Sequence, residues 1–123
     1  MKKSISHATP TVYGIPNCDS VKKARTWMDQ HAPGYVFHDF KKQGVPADAL
    51  DFWLSKVDWE ILVNRKGTTW RKLSPALQAQ VNDAPSARRL MLENPSVIKR
   101  PVVVVGDTVT VGVNPEAWGS VIH

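Results

Sequence analysis

The chain has 123 residues, of which 42% are hydrophobic and 22% are charged, as is usual for one globular domain with a substantial core. It contains no apolar run long enough to span a bilayer and no apolar core of signal-peptide length, so a cytoplasmic location is expected. A net charge of +5 favours acidic partners, but the basic residues are spread over every segment without aromatic interleaving, which argues against nucleic acid.

The first half of the chain predicts a βαβ unit. Residues 1–10 are expected to form a flexible tail. A strand is predicted over Thr11–Gly14 and a helix over Asp19–His31, stopped by a Pro-Gly pair. Tyr35–Phe40 is rich in aromatic and β-branched residues and predicts a second strand. Strands joined in this way are expected to be parallel.

The middle of the chain, about residues 47–94, predicts a helical insertion. Amphipathic spacing indicates a helix over Ala47–Lys56, followed by a short turn over Trp59–Val63. The Ser74-Pro75 pair is typical of a helix start, and a last helix is expected over Ser86–Leu92.

The end of the chain predicts two strands and a helix. Val102–Val105 and Thr108–Val111 flank a tight Gly-Asp turn, and a terminal helix is expected over Pro115–Ile122. The order βαβ, helices, ββα, with a cysteine after the first strand and a proline before the third, is that of an α/β, thioredoxin-like fold. Residues 11–123 are predicted to form one such domain with the helical insertion.

Cys18 is the only cysteine, so no internal disulfide or thiolate metal cluster is possible. It is predicted to lie near the N-terminus of the first helix, where unpaired N–H groups and the helix dipole favour an anion such as a thiolate. A lone cysteine is more often a small buried side chain. Here, however, Asn17 and Asp19 flank it in a polar turn sequence, which favours a reactive nucleophile.

Three stretches resemble the arsenate reductase (ArsC) family, most closely its small YffB branch. They are Gly14-Ile15-Pro16-Asn17-Cys18-Asp19-Ser20, Asn64-Arg65-Lys66-Gly67-Thr68-Thr69-Trp70-Arg71-Lys72-Leu73 and Ile98-Lys99-Arg100-Pro101. The resemblance extends over nearly all of residues 11–122. It implies a thioredoxin-like fold and a glutathione-dependent thiol reductase.

By this resemblance Cys18 is the nucleophile, and Arg65 and Arg100 match the family's active-site arginines. Guanidinium groups suit oxyanions and carboxylates because they donate two parallel hydrogen bonds. Asn17 and Ser20 are further candidates for binding the anion, and the family implies a cis bond before Pro101. Because the chain has one cysteine, an external thiol must release Cys18 from a mixed disulfide. The family implies that this thiol is glutathione, as co-substrate, or glutaredoxin.

One departure bears on the substrate. Arsenate reductases carry a third arginine near the start of the last helix, where this chain reads Thr110-Val111-Gly112-Val113-Asn114-Pro115-Glu116. Its loss argues against arsenate and favours another anionic small molecule or a mixed disulfide. The four histidines (His7, His31, His38 and His123) have no metal-ligand spacing, and neither a metal nor a bound cofactor is expected.

A second reading comes from another class of protein. The Spx regulators are similar in fold but act by binding RNA polymerase. Their redox switch uses a Cys-x-x-Cys pair, whereas this chain reads Cys18-Asp19-Ser20-Val21. That difference counts against the switch but leaves a non-enzymatic role in binding polymerase or another protein open.

Overall fold

The computed structural model describes residues 8–122, and its contacts divide the chain into two units. The sheet unit consists of the chain up to Lys41 and from Arg100 onward, and the helical unit consists of Lys42–Lys99. The helical unit is therefore continuous in sequence and interrupts the sheet unit. The predicted tail lies largely outside the described residues. Of its last three residues Pro10 is buried, and its carbonyl accepts a hydrogen bond from the N–H of Val36.

The sheet unit has the predicted thioredoxin-like arrangement. Its elements are β1 (Thr11–Gly14), α1 (Asp19–His31), β2 (Val36–Asp39), β3 (Val102–Val105), β4 (Thr108–Val111) and α8 (Pro115–Val121). The strand order is β2-β1-β3-β4. The pair β1 and β2 is parallel, as expected for a βαβ unit, whereas β1–β3 and β3–β4 are antiparallel.

The core of this unit lies between the sheet and its helices. Helix α1 buries Ala24 and Met28, which lie four residues apart on one face of the helix. They belong to one cluster that also contains Val12, Val103, Val105 and Trp118. Trp118 is 1% exposed, and its indole N–H donates a 2.8 Å hydrogen bond to the hydroxyl of Thr110. Helix α8 is thus held against β4 by the packing of Trp118 and by its hydrogen bond to Thr110.

The helical unit contains a series of short helices. They are α3 (Ala47–Lys56), α4 (Trp59–Leu62), α5 (Thr68–Lys72), α6 (Pro75–Gln80), α7 (Ala84–Glu93) and a 3₁₀ turn (Pro95–Val97). Helix α7 contacts α3, α4 and the 3₁₀ turn. Ser74 caps α6 as predicted, because its hydroxyl accepts the N–H of Leu77. A single antiparallel bridge joins Val63 to Ile98.

Several predicted boundaries were wrong. The second strand ends at Asp39, and Phe40–Gln43 forms a short helix, α2. Helix α4 ends at Leu62 because Val63 enters the bridge, and α8 ends at Val121. Helix α7 begins at Ala84 rather than Ser86. Asp83 and Ser86 form a reciprocal capping box there, and the hydrogen bonds from Ser86 lower the pKa of the Asp83 carboxyl.

Over residues 8–122, no helix is long and apolar enough to cross a membrane.

Candidate active site

Cys18 occupies the N-cap position of α1, immediately after the turn that follows β1. It is half-buried, and its carbonyl accepts the N–H of Lys22 at 2.9 Å, which closes the first helical turn. Its thiol makes no capping hydrogen bond. Cys18 therefore lies at the positive end of a 13-residue helix, beside unpaired backbone N–H groups.

The neighbours of Cys18 in sequence are polar and accessible. Asn17 is exposed in the turn, and Asp19 is exposed as the first helical residue. Ser20 is half-buried in the first turn of the helix. The structure places both Asn17 and Ser20 beside the cysteine along the chain, and their predicted role in anion binding remains a prediction.

Arg100 and Pro101 lie at the start of β3. Tyr13, the last residue but one of β1, pairs with Val102 in the antiparallel register, so the end of β1 and the start of β3 meet at the same edge of the sheet. The Arg100–Pro101 peptide bond is cis, the isomer that the family resemblance implies. Arg100 is half-buried and Pro101 is buried. The segments that carry Cys18 and Arg100 thus leave the sheet at one edge.

A third segment reaches this edge from β4. Val102 pairs with Val111, and the N–H of the following Gly112 donates a 2.8 Å hydrogen bond to the carbonyl of Pro101. Gly112 has a φ of 87°, a left-handed conformation that favours glycine. Val113, in the segment that lacks the third arginine, is 41% exposed. An apolar side chain therefore lies where this segment leaves the sheet.

Asp39 is a residue of this edge that the sequence reasoning missed. It pairs with Gly14 in the parallel register at the end of β2 and is 9% exposed. Its carboxylate accepts the N–H of Lys41 at 2.8 Å and so supports the start of α2. The available signal was an aspartate within an otherwise aromatic and β-branched stretch. Nearby, burial raises the pKa of the Tyr13 phenol above its usual value of 10.0.

Arg65 belongs to the helical unit, where it lies in the loop between α4 and α5. Its guanidinium group is 3.5 Å from the carboxylate of Glu60, and its Cζ is 5.2 Å from the ring centre of Trp59 and 5.9 Å from that of Trp70. The loop borders a groove of about 280 Å³ lined by Glu60, Ile61, Val63, Asn64, Arg65, Lys66 and Lys99. Three cations and one carboxylate give this groove a positive balance.

The structure therefore brings Cys18, Asn17, Ser20, Arg100 and Pro101 to one edge of the sheet unit, whereas Arg65 lies in a groove of the helical unit. No group of three or more His, Cys, Asp or Glu side chains that could hold a metal ion lies within residues 8–122. His7 and His123, for which the sequence shows no metal-ligand spacing, lie outside the described residues.

The chain is similar to proteins of one family over most of its length. Residues 13–121 match the model of the ArsC family. A solved structure of a YffB protein is 43% identical, with a TM-score of 0.87, and the match covers 94% of this chain and 100% of that one. An arsenate reductase (ArsC) related protein from Brucella melitensis is 47% identical, with a TM-score of 0.70, over 93% and 94% of the two chains.

Comparison of the sequence with known proteins also finds proteins of another description. The global transcriptional regulator Spx of Streptococcus agalactiae is 25% identical over 108 residues, which are 86% of this chain and 77% of that protein.

Proposed function

The chain belongs to the ArsC family and has its thiol reductase-like fold, and from this we propose that it is a glutathione-dependent thiol oxidoreductase with Cys18 as its nucleophile. The position of Cys18 carries the proposal: it is a half-buried thiol at the N-cap of α1, free of any capping bond. The reaction uses the thiolate form of this side chain.

The reaction we propose is thiol–disulfide exchange in two steps. The Cys18 thiolate attacks one sulfur of a disulfide substrate, the S–S bond breaks, and the other sulfur leaves as a thiolate that takes up a proton. Cys18 is then held in a mixed disulfide. Because the chain has no second cysteine, a glutathione thiolate attacks the substrate-derived sulfur of this mixed disulfide. A new disulfide forms between glutathione and that sulfur, and Cys18 is released as the thiolate. The half of the substrate that left in the first step is now a thiol, and glutathione has supplied the electrons.

Arg100 is assigned to the anionic part of the substrate or of glutathione. Its segment leaves the sheet at the same edge as that of Cys18, and a guanidinium can pair with a carboxylate through two hydrogen bonds. Asn17 and Ser20 are assigned supporting hydrogen bonds at this edge. Arg65 is assigned anion binding within its own groove in the helical unit, as its match to the family suggests.

One observation supports a carboxylate-bearing thiol over arsenate: the segment after β4 presents the exposed Val113 instead of an arginine. A cytoplasmic location and glutaredoxin as an alternative thiol donor belong to the same proposal.

The proposal is tested by incubating the protein with glutathione disulfide and measuring its intact mass. One glutathionyl group is expected on the wild-type chain and none on Cys18→Ser, and reduced glutathione should remove the adduct and restore the free thiol. An adduct that does not form, or that reduced glutathione cannot remove, would overturn the reductase assignment.

A second candidate function is favoured by the similarity to Spx. In this reading the chain is a regulator that binds RNA polymerase or another protein and performs no turnover. Capture of polymerase by wild type and by Cys18→Ser alike, together with an unreactive thiol, is the result that would favour it. Failure to capture polymerase by a protein with a reactive thiol would favour the enzyme.

A further inference from the structure

Arg65 lies close to two tryptophan side chains of the helical unit. Its Cζ is 5.2 Å from the ring centre of Trp59, in α4, and 5.9 Å from that of Trp70, in α5. Both distances are within the range in which the negative face of an aromatic ring attracts a cation. Both rings are half-buried, whereas the Arg65 side chain is 47% exposed. The guanidinium is thus held by rings yet remains accessible to a ligand.

The backbone that carries Arg65 is fixed as well. The N–H of Asn64 donates a 2.8 Å hydrogen bond to the carbonyl of Val97, and the side-chain oxygen of Asn64 accepts the N–H of Lys66 at 3.3 Å. Gly67 lies so close to the Asn64 side chain that a Cβ added to Gly67 would be 2.8 Å from Nδ2, the side-chain amide nitrogen of Asn64. With the backbone held in this way, the rings decide where the long Arg65 side chain points.

An arginine side chain loses much rotamer freedom when it binds a ligand, and holding it beforehand reduces that cost. Glu60 is less suited to this task. Its ion pair with Arg65 is 3.5 Å long, its side chain is 58% exposed, and such pairs are weak in solvent. A ligand carboxylate can displace it, whereas the rings leave the hydrogen-bonding edges of the guanidinium for the ligand.

We propose that Trp59 and Trp70 are positioning residues that hold Arg65 in the orientation in which it binds an anionic group of the substrate or of glutathione. This inference rests on the proposed function, in which Arg65 binds an anion. The tryptophans act through Arg65, and they need not touch the ligand themselves.

The test compares Trp70→Leu and Trp59→Leu, which remove the ring, with Trp70→Phe and Trp59→Phe, which keep one. The substrate is a glutathionylated peptide, with reduced glutathione as the thiol donor. Each Leu variant is expected to raise KM about two- to fivefold with kcat retained, and each Phe variant to stay near wild type. The matched control is Trp27→Leu, a half-buried tryptophan of the sheet unit, which should leave KM unchanged.

The decisive measurement is made with Arg65→Met in the background. There the Leu substitutions should raise KM no further, because the cation that they hold is gone. An equal rise with and without Arg65, or no rise in its presence, would overturn the proposal. The NMR resonance of the Arg65 Nε–H provides a readout independent of turnover: it should lie upfield through ring currents and move downfield in the Leu variants.

Two results separate the positioning role of the tryptophans from the binding role of Arg65. If Arg65→Met lowers affinity while the Leu variants behave as wild type, the positioning role is wrong and the function stands. If Arg65→Met itself leaves KM unchanged while the ring-current shift is present, the assignment of Arg65 to substrate binding is wrong, and the positioning role is overturned with it.

Discussion

Gly14 and Val21 are in such close contact that an ideal Cβ placed on Gly14 would be 2.6 Å from Cγ2 of Val21. Gly14 is the last residue of β1, and Val21 is a fully buried residue in the first turns of α1. Cys18 lies between them in the chain. The absence of a side chain at Gly14 therefore allows the helix that carries Cys18 to pack directly against the end of β1.

Gly14→Ala is predicted to lower the free energy of unfolding by about 1–3 kcal/mol, because a buried valine has to move in a packed core. Urea unfolding followed by far-UV circular dichroism measures the change. Gly34→Ala is the matched control, since a Cβ there meets nothing within 4 Å and should change stability by less than about 0.5 kcal/mol. Equal effects of the two substitutions would contradict the packing argument.

Arg100→Met is predicted to slow the reaction of Cys18 with an anionic disulfide more than with a neutral one. Ellman's reagent carries carboxylates, and its rate should fall about tenfold, which corresponds to one lost charged hydrogen bond of ~1.5 kcal/mol. The neutral 2,2′-dithiodipyridine should be affected less. The measured quantity is the ratio of the two rates.

Arg71→Met serves as the control for this experiment, because Arg71 is an exposed residue of α5. Its substitution should leave the ratio of rates unchanged. A ratio that Arg100→Met does not alter would remove Arg100 from the anion-binding site.

Asn114→Ala is predicted to lower the free energy of unfolding by about 1 kcal/mol through loss of the cap of α8. The side-chain oxygen of Asn114 accepts the N–H of Ala117 at 3.2 Å. Thermal unfolding measures the loss. In Asn82→Ala, which removes an exposed side chain while leaving the backbone bond to Ser86, the midpoint should be nearly that of wild type.

The ion pair of Asp51 and Arg88 predicts a pH-dependent contribution to stability. Arg88 donates to both carboxylate oxygens of Asp51, at 2.6 and 3.2 Å, and this bonding lowers the pKa of Asp51 below its usual value of 3.8. A pKa that is lower in the folded state stabilises that state above pH 3.8, and the contribution is lost as pH falls through the lowered pKa.

Asp51→Asn should therefore unfold at a lower urea concentration than wild type at pH 7, and the difference should shrink at pH 3 and below. Arg88→Met should give the same loss at pH 7, and the double variant should lose little more than either single variant, because both remove one interaction. A difference between wild type and Asp51→Asn that is independent of pH would show that the ion pair is not its source.

The sequence predicted every element of the sheet unit and the ends of most of them. The bounds of β1, α1, β3 and β4 agree with the prediction because proline and glycine punctuate them. Phe40 was wrongly placed in a strand. Gly14, the last residue of β1, pairs with Asp39, so the next residue has no strand beside it, and the chain turns into α2. Local β-propensity does not reveal where a partner strand ends.

Only the part of the candidate site that lies within one sequence motif could be predicted. The helix-end position of Cys18 followed from the strand, turn and helix pattern. The approach of Trp59 and Trp70 to Arg65 depends on the path of the chain between α4 and α5, which no periodicity encodes. The cap at Asp83 was readable from its Asp-Ala-Pro-Ser sequence and was overlooked.

The pairing of β1 on both sides has a consequence for synthesis on the ribosome. Thr11 lies beside Val36 on one side and beside Val104 on the other. The first partner emerges soon after β1, whereas the second emerges only after the entire helical unit has been translated. One backbone edge of β1 therefore has no partner strand during most of translation. In that period it can form hydrogen bonds with a wrong strand. Cys18 is thus made early, and its sheet is completed only when the chain is nearly finished.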